Sequence, residues 1–242
     1  MQCVVLAGGL GTRMHSVTKT LPKALIPVAG EPFIDHQLRW LSAHGVEEVV
    51  LSVGHLGDMI EAHVGSGARH GIHVRYVNEG AELRGTGGAL RLALDRGVLG
   101  DEFLVTYGDS YLPIDFGMVG EALRRSGQPA LMTVFRNEGR WDTSNVVFDD
   151  ATGAIVVYDK ARRTRPPEEF EYIDYGVSAL RRDTLAREIP PETRFDLADL
   201  YHRLSLRGEL AGQEVAQRFY EIGSPAGLAE LERHLMSSSP GG

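Results

Sequence analysis

The residues able to do chemistry gather in the first thirty positions. Ala7-Gly8-Gly9-Leu10-Gly11-Thr12 sets three glycines directly after Val4-Val5-Leu6, which reads as a short buried strand. Glycine frees the backbone for conformations in which several N–H groups face one ligand, the arrangement that cradles phosphate. Arg13 adds a rigid fork of donors at the end of this loop, and Lys23 adds a compact charge just after Pro22, whose ring restricts how the lysine is presented. Together they suit a triphosphate. The bland alternative is a glycine-rich strand-to-helix turn with two solvated cations.

Spacing excludes two familiar phosphate loops. GxxxxGK[ST] is absent, and Met14 stands where the third glycine of G-x-G-x-x-G belongs. What remains, LAGGLGTRM from Leu6 to Met14 followed by PKALIPVAGEP from Pro22 to Pro32, closely resembles the signature of the sugar-1-phosphate nucleotidylyltransferases. The resemblance runs from about Gln2 to Leu235 and is tight only in these N-terminal motifs. It implies that a sugar 1-phosphate oxygen attacks the α-phosphorus of a nucleoside triphosphate in line, pyrophosphate leaves, and no covalent enzyme intermediate forms. Such chemistry asks for positioning and charge neutralisation more than for a nucleophile.

The same resemblance assigns roles by motif position. Leu6, Ala7, Gly8, Gly9, Gly11 and Thr12 would line the nucleotide, with Gly85 and Thr86 of the RGTGGAL run; Arg13 would hold the triphosphate and the departing pyrophosphate; Lys23 would bridge the α-phosphate and the attacking phosphate. Asp109 in YGDS matches the family's metal-binding aspartate, although a strand-end Asp is also a common helix cap. The implied cofactor is Mg2+, which takes carboxylate and phosphate oxygens in an octahedral shell. The family's second carboxylate is commonly an Asp two residues before a glycine, and FYEIG puts the longer Glu221 there. Lys160 in VYDKA occupies the place of a lysine that meets the sugar phosphate, with Asp159 and Ala161 departing from the usual flanks, while Asn145 and the Tyr175-Gly176 pair fall where sugar hydroxyls are bound.

Base and acceptor follow from further residues. Guanine offers two adjacent donors that a carboxylate accepts in parallel, whereas uracil offers one donor between two acceptors. The loop where the family reads its base carries Glu79 and Glu82 and no Gln, which favours GTP over UTP. RGTGGAL, EPFIDHQL and FYEIGSPAGLAEL resemble the heptose-1-phosphate guanylyltransferases, which implies D-glycero-α-D-manno-heptose 1-phosphate as acceptor. Mannose, glucose, N-acetylmuramate and cyclitol phosphates are the alternatives. A non-catalytic nucleotide-sugar-sensing subunit would be signalled by loss of Arg13 or Lys23, and both are present.

The elements that must position these residues alternate. A helix is expected over Glu31 to His44, a strand over Val49 to Val53, a helix over His55 to Val64, a strand over Ile72 to Val77, a helix over Ala89 to Asp95 and a strand over Glu102 to Tyr107. This βαβαβ order predicts an α/β fold: a mostly parallel, doubly wound mixed sheet of the Rossmann-like, GT-A type, with ligands outside the carboxyl ends of its strands. Beyond a helix at Phe116 to Arg125 and a strand at Ala130 to Phe135, a hairpin of Asn145 to Phe148 with Ala154 to Tyr158, joined by Tyr172 to Leu180, predicts a small antiparallel extension that walls off an acceptor pocket. Helices at Arg182 to Ile189 and Leu197 to Arg207, a strand near Arg218 to Ile222 and a helix at Pro225 to Leu235 complete one domain over residues 1–236, followed by a disordered tail at 237–242.

Composition excludes other classes. The 242 residues are 43% hydrophobic and 24% charged, as in a globular protein. No apolar run is long enough to span a membrane and no leader is evident at the N-terminus, so the cytoplasm is the expected compartment. A net charge of −8 argues against nucleic acid as partner and requires that an anionic nucleotide be met by a local group of cations, for which Arg13, Lys19, Lys23 and Lys160 are the candidates. Cys3 alone forms no internal disulfide, and the nine histidines offer no helix-spaced metal pair with a partnering carboxylate. A homo-oligomer is compatible with all of this.

Overall fold

The structure, a computed structural model, describes residues 1–9, 20–80 and 84–238. In chain order the elements are β1 (Gln2–Ala7), the short hairpin β2 (Pro27–Val28) and β3 (Glu31–Pro32), α1 (Phe33–Ala43), β4 (Glu48–Val53), α2 (Gly57–Val64), β5 (His73–Asn78), α3 (Gly85–Asp95), β6 (Glu102–Tyr107), β7 (Ser110–Tyr111), α4 (Phe116–Ser126), β8 (Ala130–Arg136), β9 (Val146–Asp149), β10 (Ala154–Tyr158), β11 (Tyr172–Arg181), α5 (Arg182–Glu188), α6 (Leu197–Leu206), β12 (Leu210–Val215), β13 (Tyr220–Glu221) and α7 (Pro225–Ser238).

The main sheet runs β5-β4-β1-β6-β11-β8-β12-β10-β9. Its first four strands are parallel, and β1 lies between β4 and β6 with Cys3, Val4 and Val5 fully buried, which is why that stretch reads as an unbroken apolar run. Successive residues feed opposite faces. Val5, Leu51 and Leu104 pack under α1, α2 and α4 through Ile34, Leu38, Ile60, Val119 and Leu123. Val4, Val50 and Val105 pack under α3, α5 and α6 through Leu90, Leu185, Leu200 and Leu204. The fold is the expected doubly wound α/β arrangement.

Most differences from the sequence reading concern the second half. β11 is no mere wall: it runs antiparallel in the middle of the sheet, between β6 and β8. β9, besides pairing with β10, returns to β11 at Val146–Tyr172, so β11, β8, β12, β10 and β9 close a five-stranded ring. β12 was not expected, because LAGQEV mixes glycine and polar residues in a strand that earns its place by parallel pairing with β8. The strand near Arg218 to Ile222 is only the two residues of β13. α3 starts at Gly85 rather than Ala89, since the N–H groups of Gly87 and Gly88 are satisfied by the Phe195 carbonyl. α7 continues to Ser238, past Leu235 and into the segment expected to be a disordered tail. Among the described residues no helix is long and apolar enough to cross a membrane.

Candidate active site

Four loops meet at the carboxyl edge of the parallel strands. β1 runs out through Ala7 into Gly8 and Gly9, β4 into Gly54, β5 into Glu79 and β6 into Gly108-Asp109. The ends of β1 and β6 are drawn together at Gly108: its N–H donates to the Leu6 carbonyl at 2.9 Å, and a Cβ there would stand 2.8 Å from the Ala7 Cβ. Only glycine permits this approach. Gly11, Thr12, Arg13, Lys19 and Glu82 lie outside the described residues.

Lys23 opens a 3₁₀ turn, Lys23–Leu25, set by Pro22 at φ −63° and closed by Leu25 N–H on the Pro22 carbonyl. Its Nζ lies 2.5 Å from Asp109 Oδ2, joining residues 86 positions apart, with the side chains 15% and 34% exposed. The same amine borders Gly223, where a Cβ would stand 3.3 Å from it. β13 brings Glu221 to this place by pairing with β7, Glu221 opposite Ser110 and Tyr220 opposite Tyr111, while Ile222 N–H donates to the Asp109 carbonyl at 3.0 Å. Stacked and tilted rings back this small sheet, His234 on Tyr220 at 4.4 Å and Trp40 by Tyr111 at 5.6 Å. The sequence-level candidates Lys23, Asp109 and Glu221 thus share one locus.

The segments that carry Asp109 and Glu221 are joined by backbone pairing, and carboxylates are hard oxygen donors, which fit Mg2+ better than a softer metal. Among the described residues no group of three or more His, Cys, Asp or Glu could hold a metal ion. The donor set therefore suits a cation that completes its shell with a ligand's oxygens, and in the structure the Lys23 ammonium is the cation at Asp109.

On the nucleotide side, Glu79 is fixed by its N–H to the Val53 carbonyl, and its Oε1 accepts from Ser52 Oγ at 3.1 Å. The carboxyl lies flush on the glycine loop: a Cβ on Gly8 would overlap Glu79 Oε1. Burial raises its pKa, against hydrogen bonds from Ser52 and from the Arg84 backbone N–H. Gly85 and Thr86 are arranged differently from the reading of RGTGGAL as a ligand loop. The Thr86 hydroxyl donates to Asp196 at 3.0 Å and accepts from Leu197 N–H, and Gly87 and Gly88 bond Phe195, so this run docks α3 on the segment ahead of α6.

On the acceptor side, Asn145 precedes β9, and its Oδ1 accepts from Asp174 N–H at 3.0 Å. Lys160 follows β10, is 70% exposed and stands 3.9 Å from Asp196. The turn carrying it is built on Asp159, whose Oδ1 and Oδ2 accept from Ala161, Arg163 and Thr164, which is why that position departs from the motif. The Tyr175-Gly176 pair does not reach outward. Tyr175 is 2% exposed, with its ring in the core between Phe135 and Phe219, and Gly176 sits at φ +107° with its N–H on Asp174 Oδ1 and its carbonyl on Thr106 Oγ1. The pair is a bulge in β11, where the register against β8 shifts.

That bulge turns Asp174 toward the site, a residue the sequence reading passed over. Burial pushes its carboxyl up to about 6, opposed by the Gly176 N–H and Lys160 and reinforced by Glu221. The available signal was one acid inside the apolar run Tyr172 to Leu180. Gln37 and Ser52, which tie down the loops of Asp109 and Glu79, carry no signal of their own among ordinary helix and strand letters.

Residues 3–189 match the model of the MobA-like NTP transferase domain. The chain is similar to N-acetylmuramate alpha-1-phosphate uridylyltransferase of Caulobacter vibrioides, 30% identical over 96% of each chain. It is also similar to D-glycero-alpha-D-manno-heptose 1-phosphate guanylyltransferase of Aneurinibacillus thermoaerophilus, 36% identical over 48% of this chain and 49% of the relative, so that match spans about half of the heptose enzyme. In fold it resembles HddC from Yersinia pseudotuberculosis, with a TM-score of 0.76, 22% identity, and coverage of 97% of this chain and 99% of the other. A family match over most of the chain, joined to a relative that shares nearly its full length, makes this protein a member of the MobA-like NTP transferase family and, among its members, a sugar-1-phosphate nucleotidyltransferase.

Proposed function

We propose that the enzyme transfers GMP from GTP to D-glycero-α-D-manno-heptose 1-phosphate, releasing pyrophosphate, with Mg2+ held by Asp109 and Glu221. The observation that carries this reading is the Lys23–Asp109 pair, 2.5 Å apart at the carboxyl edge of the sheet, where Gly108 packs on Ala7 at the end of β1. Leu6 to Thr12 and Arg13 cradle the triphosphate. Lys23 balances charge on the α-phosphate and the attacking phosphate as they approach, so the ammonium and the Asp109 carboxylate, paired in the structure, each pass to a substrate-side partner. Bound magnesium would neutralise phosphate charge and fix the in-line arrangement. Glu79 accepts the two adjacent donors of guanine, oriented by Ser52. Lys160 meets the sugar phosphate, and the Asn145 amide and Asp174 take sugar hydroxyls. Tyr175 contributes only packing.

A second reading, UTP with N-acetylmuramate 1-phosphate, is favoured by the near full-length similarity to the Caulobacter enzyme. Against it stands charge: N-acetylmuramate bears a carboxylate, whereas Lys160 lies 3.9 Å from Asp196 and Asp174 feels both Lys160 and the like charge of Glu221. Pyrophosphate release is to be measured with each of the common NTPs against heptose, mannose, glucose, N-acetylmuramate and cyclitol phosphates under Mg2+. GTP with the heptose is expected to give the highest kcat/KM. Preference for UTP with N-acetylmuramate replaces the first reading by the second, and no turnover with any pair sinks both.

A further inference from the structure

Asp109 sits in a turn of only two residues, Gly108-Asp109, between the end of β6 at Tyr107 and the start of β7 at Ser110. Three tethers hold that turn. Gly108 N–H is bonded to Leu6 of β1, the Asp109 carbonyl accepts from Ile222 N–H beyond β13, and the third tether is a side chain. Gln37 Nε2 donates to the carbonyls of Tyr107 at 2.8 Å and Ser110 at 2.9 Å, so both protons of one amide clamp the two residues flanking Gly108-Asp109.

Gln37 is 4% exposed, and its Oε1 is buried with no hydrogen-bond partner among the described residues. An unpaired buried acceptor is destabilising. Packing alone would not favour an amide here. Its place on the chain explains what the amide does. α1 begins at Phe33, whose N–H bonds the Ile26 carbonyl just past the 3₁₀ turn that presents Lys23, with the β2–β3 hairpin looping out between them, and Gln37 lies one helical turn further on. The Ile26–Phe33 hydrogen bond thus ties the turn that carries the lysine to the helix that carries the clamp on its aspartate partner.

We propose that Gln37 is a positioning residue: its amide fixes the β6–β7 turn so that the Asp109 carboxylate is held ready for Lys23 and for magnesium. The proposal rests on the function given above, and a partner that orients a metal-binding carboxylate typically changes metal affinity or activity by about 10–100-fold.

The test is Gln37→Met, which keeps length and volume and removes both donors, with Gln37→Ala as the variant that also loses packing. Steady-state rates give kcat, KM for the sugar 1-phosphate and the Mg2+ concentration for half activation. Electron paramagnetic resonance of Mn2+ titrated in with the α,β-methylene analogue of GTP gives metal affinity without turnover. For Gln37→Met the expected result is weaker Mn2+ binding and a higher half-activating Mg2+, each by about 10–100-fold, with KM for the acceptor unchanged and a Tm lowered by several degrees at most, since two carbonyls lose their donor while one unpaired acceptor is removed. Parental Mn2+ affinity in a folded Gln37→Met protein overturns the proposal. So does a loss that disappears on cooling well below Tm, because it would report unfolding. If the parent turns over no substrate pair, the function fails separately, and the Mn2+ comparison still decides the role of Gln37.

Discussion

Lys23 is half-buried against Asp109, the carboxylate proposed to hold magnesium, and in the proposed reaction its charge matches the transition state better than either ground state. Lys23→Ala should lower kcat by about 10²–10³-fold with a much smaller change in KM, because the charge acts where negative charge develops. Steady-state pyrophosphate release measures both, and a variant altered chiefly in KM would put Lys23 in plain binding. Asp174 makes a different kind of prediction. A carboxyl whose folded value is raised to about 6 binds more protons folded than unfolded in the range below it, so stability falls as pH rises through about 6. Asp174→Asn should therefore raise Tm at about pH 7.5, with the gain shrinking toward about pH 4, as a pH series of thermal melts would record. Lys23 and Asp109 were legible because their neighbours form a dense motif, while Asp174 was not. In a strand, adjacent side chains face opposite ways, and the bulge at Tyr175-Gly176 settles which of the two points inward. That choice belongs to the pairing of β11 with β8, which local sequence does not encode.

At the scale of elements, the strands of the parallel half were readable from their pattern, since β1, β4 and β6 are short, mainly apolar runs and β5 alternates, each closed by turn residues. The second half was less so. β11 reads the same whether it edges an extension or crosses the middle of a sheet, and β12 carries so little apolar pattern that only its partner β8 defines it. The junction of β1 and β6 gives the element-scale prediction. Gly108→Ala would set a Cβ 2.8 Å from the Ala7 Cβ and 3.2 Å from the Leu6 carbonyl, forcing the two strand ends apart. Overpacking of this kind costs about 1–3 kcal/mol. The loss of Tm should be accompanied by a fall in kcat beyond that expected from unfolded protein, because Asp109 moves with the splayed strand. Calorimetry beside single-turnover rates would separate the two, and a stable variant of full activity would contradict the packing argument.

For the molecule as a whole, a ligand that joins β1, β5, β6 and β13 should stabilise all of them at once. At about 100 times its Kd a ligand adds about 2.7 kcal/mol, and for a chain of this size each kcal/mol is worth about 2–4 °C. Magnesium GTP should raise Tm by several degrees and more than magnesium UTP at equal concentration, as differential scanning fluorimetry would show; the reverse order would move base preference to uracil. Placing β11 between β6 and β8 also has a bearing on biosynthesis. Thr106 finds its neighbour in Val177, so as the nascent chain leaves the ribosome the first four strands wait with an unpaired edge until that segment emerges. Contacts of such long range slow folding, and they leave the exposed border of β6 as the place where chaperones or stray strands would meet the half-made protein.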